Sequence, residues 1–148
     1  MANKKFDAGS AKRLNQAHPL LQKLMNAARD KVEFVILDSQ RGRAAQEYAF
    51  KKGHSKVHFG NSAHNWSPSV AVDIAPGTNP AKINWNRKGD FIALGKVIVP
   101  LAKEMGIPIR WLGDPNGDGS PADGWDYPHW ELRPWRTYAK RDCKLFGE

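Results

Sequence analysis

The feature that decides the fold is one stretch of the chain, Ser62-Ala63-His64-Asn65-Trp66-Ser67-Pro68-Ser69-Val70-Ala71-Val72-Asp73. A polar loop with one histidine leads into a short apolar strand, predicted over residues 70–74, that carries an aspartate. A second cluster, Asp126-Tyr127-Pro128-His129-Trp130, lies far downstream. Two histidines and one carboxylate are three ligands of the kind that a catalytic zinc uses. The two stretches are therefore predicted to meet, with His64, Asp73 and His129 around one metal.

The segments upstream of this stretch predict two helices, a strand and a third helix. The first helix is expected over residues 11–17 with Ser10 as its cap, and the second follows His18-Pro19, where apolar residues recur at helical spacing. His18 is interpreted as a residue of the helix terminus. A buried strand over residues 34–37 leads to Arg41 and Arg43, and a helix over residues 44–52 ends at Gly53.

The segments downstream of this stretch predict one more helix and two more strands. A helix is predicted from Asp90 to Met105, then a strand over 107–112, a loop over 113–124 and a last strand within 125–132. The tail 134–148 is basic and its structure is left open. This order predicts an α+β fold in one domain, 1–148, with helices packed on a small, mainly antiparallel sheet.

The composition and net charge of the chain indicate which kinds of molecule it can bind. The chain has 148 residues, a net charge of +8 and six tryptophans, which are expected mostly in the core, with some able to line a substrate groove. The charge favours an acidic partner such as nucleic acid, anionic lipid or an anionic wall polymer, but no nucleic-acid-binding motif accompanies it. The lone Cys143 suits a reducing cytoplasm, and no apolar run predicts a signal peptide or a membrane span.

Two further side chains fit hydrolytic chemistry at such a metal. Asp126 lies three residues before His129, and across a tight turn both can point to one centre. Asp126 can then accept a proton from the attacking water and pass it to the leaving amine. Arg41, at the end of a strand, can hold the scissile carbonyl or a substrate carboxylate.

These residues together resemble a known signature. Ser62-x-His64, Ala71-x-Asp73 and Asp126-x-x-His129 are similar to the Ser-x-His…Ala-x-Asp…Glu/Asp-x-x-His pattern of D-Ala-D-Ala-type zinc metallopeptidases, which share a hedgehog-like fold. That family includes vancomycin-resistance dipeptidases, carboxypeptidases and phage endolysins that are L-alanyl-D-glutamate peptidases. The segment 38–46 resembles the family's upstream arginine–glutamine motif, and the resemblance spans about residues 30–133.

The resemblance implies a role for each matching residue. It implies zinc on His64, Asp73 and His129, Asp126 as the catalytic base and Arg41 at the substrate carbonyl, with Arg43 as the alternative. It also implies that Ser62 and Gln46 line the site. The chain departs from the family at Ser67-Pro68-Ser69, which lengthens the loop between the first two ligands.

The implied activity is that of a phage endolysin. Aspartate at 126 is similar to the phage enzymes, so the expected substrate is the L-Ala–D-Glu bond of peptidoglycan stem peptides. The expected protein is a monomer that stays in the host cytoplasm until a holin releases it to the cell wall. The alternatives are a D,D-carboxypeptidase or D-Ala-D-Ala dipeptidase, a non-catalytic zinc module that binds wall or a partner protein, and, from charge alone, nucleic-acid binding.

A second metal site is also considered in the loop before the last strand. Oxygen-bearing residues occupy the first, third and fifth positions of a calcium-loop pattern, with glycine at the sixth. Trp125 stands where an EF-hand has its bidentate glutamate, so this is not an EF-hand. The alternative is a plain turn rich in Asp and Asn. The candidate calcium residues are Asp114, Asn116, Asp118 and Asp123.

Overall fold

A four-stranded antiparallel sheet forms the centre of the computed structural model, which describes residues 6–120 and 124–147. The strands are β1 (Phe34–Asp38), β2 (Trp66–Ser67), β3 (Ala71–Pro76), β4 (Ile109–Trp111), β5 (His129–Leu132) and β6 (Lys144–Leu145). The spatial order of the sheet is β1-β3-β5-β4, so β3 and β5, which carry Asp73 and His129, are neighbours. A separate two-stranded ribbon joins β2 to β6.

The helices begin and end at residues that suit helix termini. His18 caps α2 by accepting a hydrogen bond from the Leu20 amide, and Pro19 takes the first helical position. At the far end of α4, Gly106 adopts a left-handed φ of 69° that ends the helix. The helices are α1 (Ala8–Asn15), α2 (Pro19–Arg29), α3 (Arg43–Lys51), α4 (Lys88–Met105) and α5 (Trp135–Asp142).

The core lies where α1, α2 and α4 pack against the sheet. Their apolar faces form one buried cluster with the strands, which includes Leu21, Leu24, Ile74, Ile98 and Trp130. Burying such side chains stabilises the fold by roughly 1.5–3 kcal/mol each. The packed sheet therefore provides a rigid base for the residues that extend from its strands. No helix within the described ranges is long and apolar enough to cross a membrane.

The first helix differs from its prediction. It begins at Ala8 and ends at Asn15, and Asp7 rather than Ser10 is its cap, since the Asp7 side chain accepts a hydrogen bond from the Ser10 amide. Ser10 lies inside the helix and is buried, and its hydroxyl accepts a hydrogen bond from the Ile36 amide at 2.9 Å. The serine is thus used for a contact between helix and strand, which its local sequence does not reveal.

The described part of the tail, for which the sequence predicts no element, forms a helix and a short strand. Helix α5 and strand β6 return to the body of the protein, where β6 pairs with β2. The Phe146 amide donates to the Asn65 carbonyl at 2.8 Å, and His18 contacts Asp142 at 2.8 Å. The tail therefore packs directly beside the turn that carries His64.

Candidate metal centre and active site

Two paired strands and one short turn position the three predicted ligands. Asp73 on β3 and His129 on β5 are directly opposite each other in the ladder, so their side chains lie on one face of the sheet. His64 lies in the 3-10 turn Ala63–Asn65, which Ser62 caps by accepting a hydrogen bond from the His64 amide. The structure thus brings together residues that are far apart in the chain.

The three ligand atoms form a nearly equilateral triangle. His64 Nε2 lies 3.3 Å from Asp73 Oδ1 and 3.3 Å from His129 Nδ1, and His129 Nδ1 lies 3.2 Å from Asp73 Oδ1. Tetrahedral zinc with ligands at about 2.0–2.1 Å places those ligands about 3.3 Å from one another. The residues present therefore fit zinc. Among residues 6–120 and 124–147, His64, Asp73 and His129 are the His, Cys, Asp or Glu side chains that lie close enough together to hold a metal ion.

In both His64 and His129, the ring nitrogen that points away from the metal centre donates a hydrogen bond to a protein oxygen. His64 Nδ1–H donates to the Ser39 carbonyl at 2.8 Å, and His129 Nε2–H donates to Glu131 Oε1 at 2.7 Å. These bonds orient both rings and leave His64 Nε2 and His129 Nδ1 as acceptors toward the centre. The sequence interpretation did not include Ser39 or Glu131. For Glu131 a signal existed, because it lies two residues after His129 on the same face of a strand.

The charges of the cluster favour a cation at its centre. Burial alone would raise the pKa of Asp73, but the charges of His64 and His129 and their hydrogen bonds hold it well below its usual range. Burial alone would lower the pKa of His129, but the hydrogen bonds that its ring donates to Asp73 and Glu131, together with their negative charges, raise it to about 10. Both shifts arise because carboxylates and imidazoles lie in direct contact, and such a set of groups stabilises positive charge.

Asp126 lies at the same cavity without belonging to the triangle. It is part of the cavity wall, and its backbone carbonyl accepts a hydrogen bond from the His129 amide at 3.1 Å. Burial raises the pKa of Asp126, and the nearby negative charge of Asp73 raises it further. A carboxyl group with a raised pKa next to a metal site is suited to accept and return a proton.

Arg41 rather than Arg43 faces the centre. Its guanidinium donates to Asp38 Oδ2 at 2.8 and 3.2 Å and to Gln46 Oε1 at 3.1 Å, and it lies 3.7 Å from Asp73 Oδ2. Arg43 instead places its guanidinium 4.6 Å from the ring centroid of Phe59. The hydrogen bonds of Arg41 to Asp38 and Gln46 fix the direction of its planar guanidinium toward the cavity.

The other two predicted site residues have different surroundings. Ser62 lies in the cavity wall, where its hydroxyl also holds the turn of His64. Gln46 is fully buried behind Arg41, and its amide donates to Ser55 Oγ at 2.9 Å and to the Val57 carbonyl at 2.8 Å. Gln46 therefore does not line the cavity as expected, because its hydrogen bonds join Arg41 to the loop that follows α3.

The extended loop leaves the ligands in place because it is fixed at its base. Ser69 Oγ donates to the Ser39 carbonyl at 2.8 Å, the same oxygen that accepts the His64 ring N–H. The Ser69 amide also donates to the Gln16 carbonyl at 2.9 Å. The added residues thus lie in β2 and the turn after it, and Ser67 pairs with Lys144 of β6.

The cavity above the metal ligands has a volume of about 650 Å³ and a partly cationic wall. The wall contains the cations Arg41, Lys56 and Arg110, the carboxylates Asp73, Asp126 and Glu131, and the aromatic side chains of Trp125 and Trp135. His54 also lines this cavity, whereas His58 lies outside it and pairs with Glu47 at 2.8 Å. A cavity of this size holds a short peptide segment, and its cations favour a substrate with carboxylates.

Three of the four candidate calcium residues each direct one side-chain oxygen toward a backbone amide of their own loop. Asp114 accepts from the Gly119 amide at 2.9 Å, Asn116 from the Asp118 amide at 3.1 Å, and Asp118 from the Ser120 amide at 2.8 Å. Asp123 lies outside the described residues. These bonds are those of turns rich in Asp and Asn. The described part of the loop gives calcium no support, and calcium stays a prediction from sequence.

Glu131→Gln is expected to weaken zinc binding about 10- to 100-fold, because the amide cannot supply the charge that supports His129. Competition with a chelator of known affinity measures the change. Glu47→Gln is the matched control, since Glu47 has the same contact with a histidine, His58, but lies outside the metal centre. Equal zinc affinity in Glu131→Gln and the unmodified protein would contradict a supporting role for Glu131.

Known proteins with similar sequences or structures form a consistent group. A family model described as phage L-alanyl-D-glutamate peptidase matches residues 2–133. The L-alanyl-D-glutamate peptidase of Escherichia phage T5 is 31% identical over 121 residues, which covers 80% of this chain and 87% of the phage protein.

Two solved structures share the fold. The crystal structure of Serratia marcescens L-Ala D-Glu endopeptidase ChiX matches with a TM-score of 0.68 and 24% identity, over 93% of this chain and 96% of that one. The LdcB LD-carboxypeptidase matches with a TM-score of 0.50 and 17% identity, over 99% of this chain and 68% of that one. Together with the antiparallel sheet, these matches confirm the α+β fold that the sequence predicted.

Proposed function

Because the chain belongs to the phage L-alanyl-D-glutamate peptidase family, we propose that it is a zinc-dependent endopeptidase that cleaves the L-Ala–D-Glu bond of peptidoglycan stem peptides. Membership in this family makes the chain a peptidase. The observation that carries the zinc dependence is the triangle of His64 Nε2, Asp73 Oδ1 and His129 Nδ1, with edges of 3.2–3.3 Å. Zinc held there supplies a Lewis acid for the scissile carbonyl and for the attacking water.

Asp126 carries the proton through the reaction. Its carboxylate accepts a proton as water attacks the L-Ala carbonyl, and the same group then gives that proton to the departing amine of D-Glu. The raised pKa of Asp126, caused by burial and by the charge of Asp73, supports this role because it brings the carboxyl closer to the pH at which it works. Asp73 cannot take this part, since its Oδ1 is one of the three atoms that would hold the zinc.

Arg41 stabilises the negative charge that develops on the substrate oxygen. Its guanidinium is oriented in advance by Asp38 and Gln46, so little reorganisation is needed when the charge appears. Lys56 and Arg110 extend the cationic wall beyond it and suit the carboxylates of the D-Glu side of the stem peptide. The net charge of +8 favours approach to an anionic wall in the same way.

The biological setting follows from the family and is part of the proposal. The protein acts as an endolysin in host lysis: a monomer made in the host cytoplasm that reaches the wall after a holin opens the membrane. The whole chain, 1–148, forms one catalytic domain, with the motifs in residues 30–133 and the tail as its support. The contact of the Phe146 amide with the Asn65 carbonyl supports that assignment of the tail.

Digestion of purified peptidoglycan, followed by mass spectrometry of the soluble products, tests the bond that is cut. The expected products are peptides with a newly freed D-Glu amine and glycan fragments that keep a single L-Ala. Protein treated with a chelator serves as the control and is expected to release neither product. Release of D-Ala, with the L-Ala–D-Glu bond intact, would contradict the proposal and favour a carboxypeptidase.

A further inference from the structure

A second, smaller cavity adjoins the catalytic cavity. It has a volume of about 180 Å³ and shares Trp125 and Asp126 with the larger one, so the two cavities are neighbours at the proton-carrying residue. Its remaining walls include Trp85, Lys88, Phe91 and Tyr127. A substrate that is cut beside Asp126 can therefore extend from the metal centre into this second space.

Two tryptophans give this cavity an open aromatic surface. The side chain of Trp85 is 59% exposed and that of Trp125 is 60% exposed, although large aromatic side chains normally gain most by burial. Trp85 stacks on Phe91, with ring centroids 5.9 Å apart and planes inclined by 20°, and Phe91 is buried in α4. The exposed face of Trp85 is thus held in a fixed orientation, as a binding surface requires.

The second cavity has fewer charged side chains in its wall than the first. The catalytic cavity contains the cations Arg41, Lys56 and Arg110 and the carboxylates Asp73, Asp126 and Glu131, whereas the second has the shared Asp126 and Lys88, whose ammonium lies 5.3 Å from the Tyr127 ring centroid. Carboxylates of the D-Glu side suit the first cavity. A group that offers flat apolar faces and neutral hydrogen-bonding oxygens suits the second.

The chemistry of the substrate places such a group next to L-Ala. In peptidoglycan the amine of L-Ala is joined through a lactyl group to an N-acetylated sugar, and one residue spans only about 3.3–3.6 Å. Any site that cuts after L-Ala therefore meets a sugar within a short distance on the acyl side. A pyranose ring has one relatively apolar face, which can pack on an indole, and hydroxyl and acetamide oxygens, which can accept from an ammonium.

Building on the proposed function, we propose that Trp85 and Trp125 form a subsite for the N-acetylated sugar that carries the stem peptide. The enzyme then contacts its substrate on both sides of the scissile bond, with Lys56 and Arg110 on the D-Glu side and the two tryptophans on the glycan side. It follows that the protein prefers stem peptides that are still attached to glycan over free peptides of the same sequence.

The test compares two substrates that differ only in the sugar. One is a disaccharide-linked stem peptide, and the other is the same peptide with an N-acetyl group in place of the sugar. The measured quantity is the ratio of kcat/KM for the linked substrate to kcat/KM for the free one. Trp85→Ala is expected to lower that ratio about tenfold, mainly through KM, as for an aromatic residue central to an interface.

Two further variants keep the result interpretable. Trp85→Phe retains an aromatic face and is expected to keep most of the preference. Tyr48→Ala is the matched control, because Tyr48 is also 60% exposed but lines neither cavity, and it is expected to leave the ratio unchanged. Thermal unfolding of all three checks that each keeps its fold.

The outcomes separate this proposal from the one on which it rests. An unchanged ratio in Trp85→Ala would overturn the sugar subsite. If the ratio is unchanged because kcat/KM falls equally on both substrates, the surface binds the peptide and not the sugar. If unmodified protein cuts neither substrate at the L-Ala–D-Glu bond, the proposed function itself fails. The preference of the unmodified protein for the linked substrate is therefore measured first.

Discussion

Replacing Asp73 with asparagine is expected to remove bound zinc and to reduce hydrolysis of purified cell wall to background. Asp73 Oδ1 forms two of the three edges of the triangle, at 3.3 Å from His64 Nε2 and 3.2 Å from His129 Nδ1. The amide preserves the shape of the side chain but lacks the negative charge that attracts the cation. Metal analysis after dialysis is expected to fall from about one zinc per chain to near none.

Controls for this variant come from the same residue types outside the centre. Asp90→Asn removes a carboxylate that pairs with Arg87 at 3.0 Å on the surface, and it is expected to keep both zinc and activity. His64→Ala and His129→Ala are expected to lose both, as Asp73→Asn does. Because Asp73 lies on a central strand, circular dichroism must show that the variant is folded. A folded Asp73→Asn protein with full zinc content would remove Asp73 from the metal site.

Much of the fold could be predicted because the chain signals it locally. Helix α4 shows a continuous apolar stripe that ends at Gly106, and β3 is a short apolar run beside a polar loop. The meeting of His64, Asp73 and His129 was expected from their chemistry and from the resemblance to zinc peptidases. The pairing itself follows from the register of β3 on β5, which places Asp73 opposite His129.

The parts that could not be predicted depend on contacts between distant segments. Ser39 acts through its backbone carbonyl, so its side chain gave no signal, and Gln46 became a buried link because the loop after α3 folds back on it. Helix α5 has few buried residues of its own, and Trp135 packs against the core with its ring centroid 6.5 Å from that of Trp66. Such contacts leave no periodic pattern in the local sequence.

Replacing Asp126 with asparagine is expected to keep zinc and to lower kcat by roughly three orders of magnitude, which lies in the range for a lost general acid–base group. The metal stays because the Asp126 carboxylate is not one of the three atoms of the triangle. The turn stays because it is held by the backbone bond from the His129 amide to the Asp126 carbonyl. An amide cannot carry a proton from water to the leaving amine, so the chemical step is slowed while substrate binding remains.

Zinc content and steady-state kinetics, measured on the same preparation, distinguish the possible roles of Asp126. Asp118→Asn is the matched control: it changes an exposed carboxylate of the preceding loop, whose acceptor for the Ser120 amide an asparagine can replace. It is expected to leave kcat and zinc unchanged. Loss of zinc in Asp126→Asn would make Asp126 a ligand and contradict its role as proton carrier. An unchanged kcat with full zinc would assign proton transfer to another group, and His54 in the cavity wall would then be the residue to replace.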